Sequence, residues 1–118
     1  MMDMTRRDGS LDTLLDLDGQ VLVIDAAGHW VRFVVHTVPP SPQKLHGLDY
    51  ILTMHAPDGA RLVGFDNAHQ VDGKRREALD HKHRLRTIKP YDYRDAATLV
   101  ADFWAEVEAV MREKGIWP

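Results

Sequence analysis

Apolar and polar positions along this chain change period several times. Behind a charged start, Leu11, Leu14 and Leu15 recur at helical spacing after Ser10, a residue suited to cap a short turn, and Asp18-Gly19 stops it. Two β-like runs follow, Gln20–Asp25 and His29–Val38, joined by the turn-forming Asp25-Ala26-Ala27-Gly28. In the second run Val31, Phe33 and Val35 point one way, and Trp30, Arg32, Val34 and His36 the other. Pro39, Pro40 and Pro42 end it, because proline has no N–H to give to a ladder. Tyr50–His55 and Arg61–Asp66 read as a hairpin around Ala56-Pro57-Asp58-Gly59, with proline early in the turn and glycine where a positive φ is needed. A polar stretch runs from Asn67 to Asp80, and His81–Ile88 reads as a fifth strand. Asp95 then stands as an N-cap before Ala96, Leu99, Val100, Phe103, Val107, Val110 and Met111, an apolar stripe at helical spacing that Gly115 ends. The pattern predicts an α+β domain, an antiparallel meander of four to five strands with a long C-terminal amphipathic helix packed on one face. Residues 1–10 are expected to be a flexible N-terminus and residues 11–118 one domain.

Composition narrows the function classes. A chain of 118 residues is long enough for a hydrophobic core without staples, and the absence of cysteine excludes disulfide frameworks, thiolate metal sites and thiol catalysis. The charged N-terminus has no apolar run behind it, and the longest apolar stretches fall far short of a membrane span. A cytoplasmic protein with no membrane partner is the expectation. The net charge of −3 argues against a uniformly basic nucleic-acid coat, yet its distribution is uneven. Residues 74–94 hold eight basic and three acidic residues, so they carry +5 and leave −8 to the remainder. Such a basic stretch, with Tyr91 and Tyr93 beside it, suits a phosphodiester backbone and a stacked base. Equally, lysines and arginines can simply solubilise a loop.

Chemistry concentrates in Asp80-His81-Lys82-His83-Arg84. In a strand, residues two apart share a face, so His81 and His83 can flank one phosphate, one taking a proton from an attacking hydroxyl and the other protonating the leaving oxygen. This needs neither metal nor cofactor. Lys82 and Arg84 could hold phosphate, but a regular strand points them away from the histidines. Two other readings stand beside it. Leu85 shares the histidine face, so both imidazoles could be turned toward the core as structural groups. Alternatively His81 and His83, with Asp66 or His69, could offer three ligands to Zn²⁺ or Mn²⁺. On the helix, Asp102 and Glu106 repel at i,i+4 spacing, and Trp104 lies at the edge of the apolar stripe, so this face could receive a basic protein partner.

Several blocks resemble the TumE family: Leu11-Asp12-Thr13-Leu14-Leu15-Asp16-Leu17-Asp18-Gly19, Trp30-Val31, His46-Gly47, Tyr50-x-Leu52-Thr53-x-His55 and Gly64-Phe65-Asp66-Asn67-Ala68-His69. So do Asp80-His81-x-His83-Arg84, Pro90-Tyr91 and Leu99-x-x-Asp102-Phe103-Trp104-x-x-Val107. The resemblance covers nearly the whole chain from Leu11. It implies the toxin half of a type II toxin–antitoxin pair, usually encoded beside a helix-turn-helix antitoxin.

Ribonuclease activity then follows by analogy with toxins of this size. The expected site has His81 and His83 as acid and base, Asp66 or Asp80 orienting an imidazole, and Lys82, Arg84, Asn67, His69 and Tyr91 contacting RNA. Trp104, Asp102 and Glu106 are the expected partner contacts, and a homodimer is compatible with the chain. The alternative is a non-catalytic module that binds the helix-turn-helix antitoxin and modulates its DNA binding. A metal-dependent nuclease is the third reading.

Overall fold

The fold, taken from a computed structural model, is described for residues 10–42, 44, 46–67, 80–84 and 87–118. The elements run α1 (Leu11–Asp16), β1 (Val21–Val23), β2 (Trp30–Thr37), β3 (Leu48–His55), β4 (Arg61–Asp66), β5 (His81–Arg84), β6 (Thr87–Pro90) and α2 (Ala96–Glu113). All six strands join in one antiparallel meander in chain order, with α2 packed against it. The α+β class follows as the sequence pattern predicts, with one strand more than expected. The run His81–Ile88 is a hairpin rather than one strand, since Arg84 pairs with Thr87 and His81 with Pro90. Its connection, Leu85-Arg86, carries none of the Gly, Asn, Asp or Pro signals that mark a turn.

Alternation decides which side chains meet the helix. Val31, Phe33 and Val35 of β2, Tyr50, Leu52 and Met54 of β3, and Val63 and Phe65 of β4 are buried with Leu99, Phe103, Val107, Val110 and Met111 of α2. Phe103 meets Phe33 and Phe65 edge-on at ring-centroid distances of 5.6 and 6.1 Å. Each such side chain withdrawn from water stabilises the fold by about 1.5–3 kcal/mol before the entropy of ordering it is subtracted. The opposite face, on which no described helix packs and which is called the open face below, carries Trp30, Arg32 and Val34 of β2 with their cross-strand partners Val23 and Val21, Thr53 and Ile51. Val21, Val23, Ile51 and Ile88 are all exposed there.

Side chains complete the ladders where strands stop. Asp18 Oδ1 accepts the Val35 N–H at 2.9 Å beyond the end of β1. Past the end of β4, the buried Asn67 accepts the Tyr50 N–H through Oδ1 at 3.1 Å and donates from Nδ2 to the Leu48 carbonyl at 2.7 Å. Asp25 closes its turn by accepting the Gly28 and His29 N–H groups at 3.0 and 2.8 Å, with Gly28 at φ 100°. Asp95 caps α2 as its sequence position predicts, accepting the Thr98 N–H at 2.7 Å. Ser10 makes no side-chain cap bond in its own helix; its Oγ instead accepts the Ala97 N–H of α2 at 2.8 Å. The N–H groups of the first turn of α2 have no intrahelical carbonyl to meet, and Ser10 supplies the acceptor for that of Ala97.

Asn67→Ala leaves a buried N–H and carbonyl of β3 without these partners. The variant is expected to lose about 1–3 kcal/mol in urea unfolding. An unchanged midpoint would show that Asn67 does not hold the end of β3.

Candidate functional site

β5 lies between β4 and β6, and its register sorts its residues onto two faces. His81 pairs with Asp66 and His83 with Gly64, whereas Lys82 pairs with Phe65 and Arg84 with Val63, both core residues under α2. The histidines therefore belong to the open face of the sheet, not to the core-facing side considered in the alternative reading of them as structural groups. Lys82 and Arg84 point to α2. Lys82 Nζ donates to Glu106 Oε2 at 3.1 Å, and Arg84 pairs with Glu106 at 3.5 Å and with Glu113. The regular strand thus separates the two cations from the histidines, and Glu106 spends its charge within the fold.

On the open face the carboxylate of Asp66 sits between the two imidazoles. His83 Nε2 lies 2.9 Å from Asp66 Oδ2, and His81 Nδ1 lies 3.9 Å from Asp66 Oδ1, ion-pair range rather than hydrogen-bond distance. The two rings are 6.5 Å apart. His81 is buried, at 7% exposure, and the His83 and Asp66 side chains keep 14% each. Asp66 ends β4, where its backbone fixes the carboxylate opposite His81.

A residue absent from the sequence-based site completes this group. Arg61 Nη2 reaches His83 Nδ1 at 3.4 Å. Simple alternation puts Arg61 on the same face as Val63 and Phe65, in the core. The ladder instead slips between Met54 and His55, so that Met54 pairs with Val63 and His55 with Arg61, leaving Leu62 as the extra residue. Such a bulge turns a side chain to the other face. Gly64 provides the path: a Cβ built there would lie 3.4 Å from Arg61 Cδ and 3.7 Å from Nε and Nη1, so the arginine lies over bare backbone to reach His83. No period in the sequence announces a bulge, although an isolated glycine inside a strand pattern is a pointer to one.

These contacts define the protonation pattern of neutral His83. A guanidinium has no lone pair to offer, so Nδ1 must accept from Arg61 and the proton belongs on Nε2, which donates to Asp66. The basic lone pair of His83 faces an exposed guanidinium, and the carboxylate orients the ring from behind.

The other sequence-based candidates lie apart from this group. Asp80 is buried and accepts the Tyr50 hydroxyl at 2.6 Å. The Tyr91 hydroxyl donates to Asp102 Oδ2 at 2.7 Å and its ring meets Phe65 edge-on at 5.0 Å, so Tyr91 ties β6 to α2. Asn67 is engaged by β3, and by Lys44, whose Nζ reaches its Oδ1 at 3.3 Å. Trp104 is half-buried, its ring 6.2 Å from Phe33. His69, with Lys74, Arg75, Arg76, Leu85 and Arg86, lies outside the described residues. Among the described residues no three His, Cys, Asp or Glu side chains are grouped to hold a metal ion, and no helix is long and apolar enough to cross a membrane.

Burial, reinforced by the hydrogen bond to Asp80, pushes the Tyr50 hydroxyl far above the ordinary phenol value, and burial with Asp102 does the same for Tyr91. The fold thus holds both phenols neutral, while the unfolded chain ionises them near pH 10. Stability from this source is complete below about pH 10 and declines as pH rises further, because the folded state then binds more protons than the unfolded one. Denaturant unfolding at rising alkaline pH is expected to show this decline, with a shallower slope in Tyr50→Phe. Phenolate absorbance appearing for all three tyrosines near pH 10 in the folded protein would contradict it.

Comparison with known families identifies a match to the model described as Toxin TumE, spanning residues 9–111. Comparison with curated proteins and with solved structures gave no match. The matched span includes every strand, the Asp66–His81–His83 group, Arg61 and nearly all of α2. The chain belongs to the TumE toxin family.

Proposed function

We propose that this toxin cleaves single-stranded RNA without a metal ion, using His83 as the base and His81 as the acid. The observation that carries the reading is the alignment Asp66–His83–Arg61, at 2.9 and 3.4 Å. A carboxylate orients the imidazole through Nε2–H, which leaves Nδ1 to take a proton. The guanidinium beside that nitrogen can bind the phosphate whose neighbouring 2′-hydroxyl is deprotonated. Arg61, not Lys82 or Arg84, takes the phosphate-holding role in this account.

In the reaction the 2′-oxygen gives its proton to His83 Nδ1 and forms a bond to phosphorus. The P–O5′ bond breaks with its electron pair on O5′, which receives a proton from His81. The products are a 2′,3′-cyclic phosphate and a 5′-hydroxyl. Arg61 moves from His83 onto the phosphate as substrate enters, so the same group guards the base at rest and neutralises charge at work.

As a member of a toxin family the chain implies an antitoxin partner. We take that partner to be a helix-turn-helix protein and the setting to be the cytoplasm. The second reading, a module with a structural histidine pair, draws on the burial of His81 at 7% exposure. It differs in what Arg61 does, because an exposed arginine contributes little to stability.

Arg61→Ala therefore separates the two. Its melting temperature is expected to stay near that of the parent, since surface substitutions usually change stability by about 0.5 kcal/mol or less. Its RNA cleavage and growth arrest should nevertheless fall. His83→Ala is expected to lower the cleavage rate by about 10²–10⁴-fold. Full cleavage and growth arrest in both variants would overturn the proposal, and growth arrest lost only in step with melting temperature would favour the structural reading.

A further inference from the structure

Four side chains form a row across the open face, one from each of four neighbouring strands. Trp30 of β2 pairs with His55 of β3, His55 pairs with Arg61 of β4, and Arg61 reaches His83 of β5. At one end of the row Trp30 and His55 are stacked, with ring centroids 4.0 Å apart and planes 11° from parallel. The His55 ring is held at both nitrogens: Nδ1 lies 3.1 Å from the Gly59 carbonyl and Nε2 2.9 Å from Thr53 Oγ1. A carbonyl only accepts, so Nδ1 carries the proton and Nε2 accepts from the threonine hydroxyl. The stack is thus fixed before any ligand arrives.

We infer that this row is a single-stranded RNA track in which a nucleobase packs on the Trp30–His55 stack while a phosphate lies at Arg61, next to His83. The inference rests on the proposed ribonuclease reading and names the subsite that reading lacks. Three inter-strand steps of about 4.8 Å separate β2 from β5, about 14 Å, and the offset along β4 from Arg61 to Gly64, the partner of His83, lengthens the path further. A ligand must be extended to touch both ends.

Charge favours a polyanion here. Arg32 lies two residues along β2 from Trp30 on the same face, is exposed, and has no carboxylate within ion-pair distance among the described residues. Among the described residues Arg61 is a second cation of this face; Asp66, in contact with the row, is engaged by the histidines, and Asp49, opposite His36 on the same face, pairs with Lys44. The next residue across the ladder beyond Trp30 is Val23 on edge strand β1, 69% exposed, a short side chain that continues no aromatic stack. Half-buried aromatics with a cation alongside, spread over a sheet face on which no described helix packs, are the recurring chemistry of single-strand recognition.

The test uses the full chain carrying His83→Ala, so that a fluorescein-labelled single-stranded oligoribonucleotide stays intact during an anisotropy titration. Trp30→Leu in that background is expected to weaken binding by about 5- to 150-fold, the equivalent of one lost base stack at 1–3 kcal/mol. Trp30→Phe, which keeps a ring, should bind within about threefold of its parent, and Arg32→Ala should flatten the salt dependence of Kd. Undiminished binding by a folded Trp30→Leu overturns the track. Loss of antitoxin binding in Trp30→Leu with unchanged RNA affinity also overturns it, assigning the stack to a protein partner. If the wild type binds RNA through Trp30 but never cleaves it, the track stands and the catalytic reading of His83 falls. If cleavage depends on His83 while RNA affinity ignores Trp30, the reverse holds.

Discussion

Alternation in β5 is the constraint on which the rest depends. A strand residue can face only one side of its sheet, and this sheet has α2 on one side. The register with β4 therefore sends Lys82 and Arg84 under the helix, to Glu106 and Glu113, and His81 and His83 to the open face, around Asp66. A slip of one residue would exchange the two pairs, placing imidazoles against Phe65 and Val63 and cations beside Asp66. The ion pairs with α2 and the carboxylate opposite His81 hold the same register from opposite faces.

This division changes the meaning of the charge pattern. The +5 of residues 74–94 suggests a basic field around the histidines, and the −8 remainder a separate acidic surface. Within the described residues, Lys82 and Arg84 of the first instead pair with Glu106 and Glu113 of the second. Tyr91 and Asp102 are joined in the same manner. Sequence distance concealed these partners: one member lies on β5 or just after β6 and the other on α2, and the i,i+4 repulsion of Asp102 and Glu106 marks them without naming what they meet. Among the described residues, Arg32 and Arg61, two cations of the open face for which no carboxylate lies at ion-pair distance, fall outside that basic window.

Features governed by local chemistry were legible in the sequence. The bounds of β4, the two faces of β2, the Asp95 cap and the stripe on α2 follow from period two, period 3.6 and a capping side chain. Features set by register were not. The β5–β6 hairpin turns without a turn residue, and Arg61 reaches the open face through a bulge whose extra residue, Leu62, looks like any apolar strand position. The site was accordingly half visible. His81, His83 and Asp66 are candidates by residue type and the fold brings them together, whereas the arginine that faces His83 is found only once the ladder is known.

The claim that joins fold to chemistry is that Asp66 and Arg61 together fix His83 with its proton on Nε2 and its lone pair on Nδ1. Two-bond ¹⁵N–¹H correlation NMR of the histidine rings reads this directly in the neutral ring. The account predicts the Nε2–H tautomer for His83 in the wild type, with the preference released when Asp66→Ala and Arg61→Ala are combined. A wild-type His83 found with its proton on Nδ1 would contradict the account, because Arg61 would then meet no lone pair and the lone pair on Nε2 would face the Asp66 carboxylate.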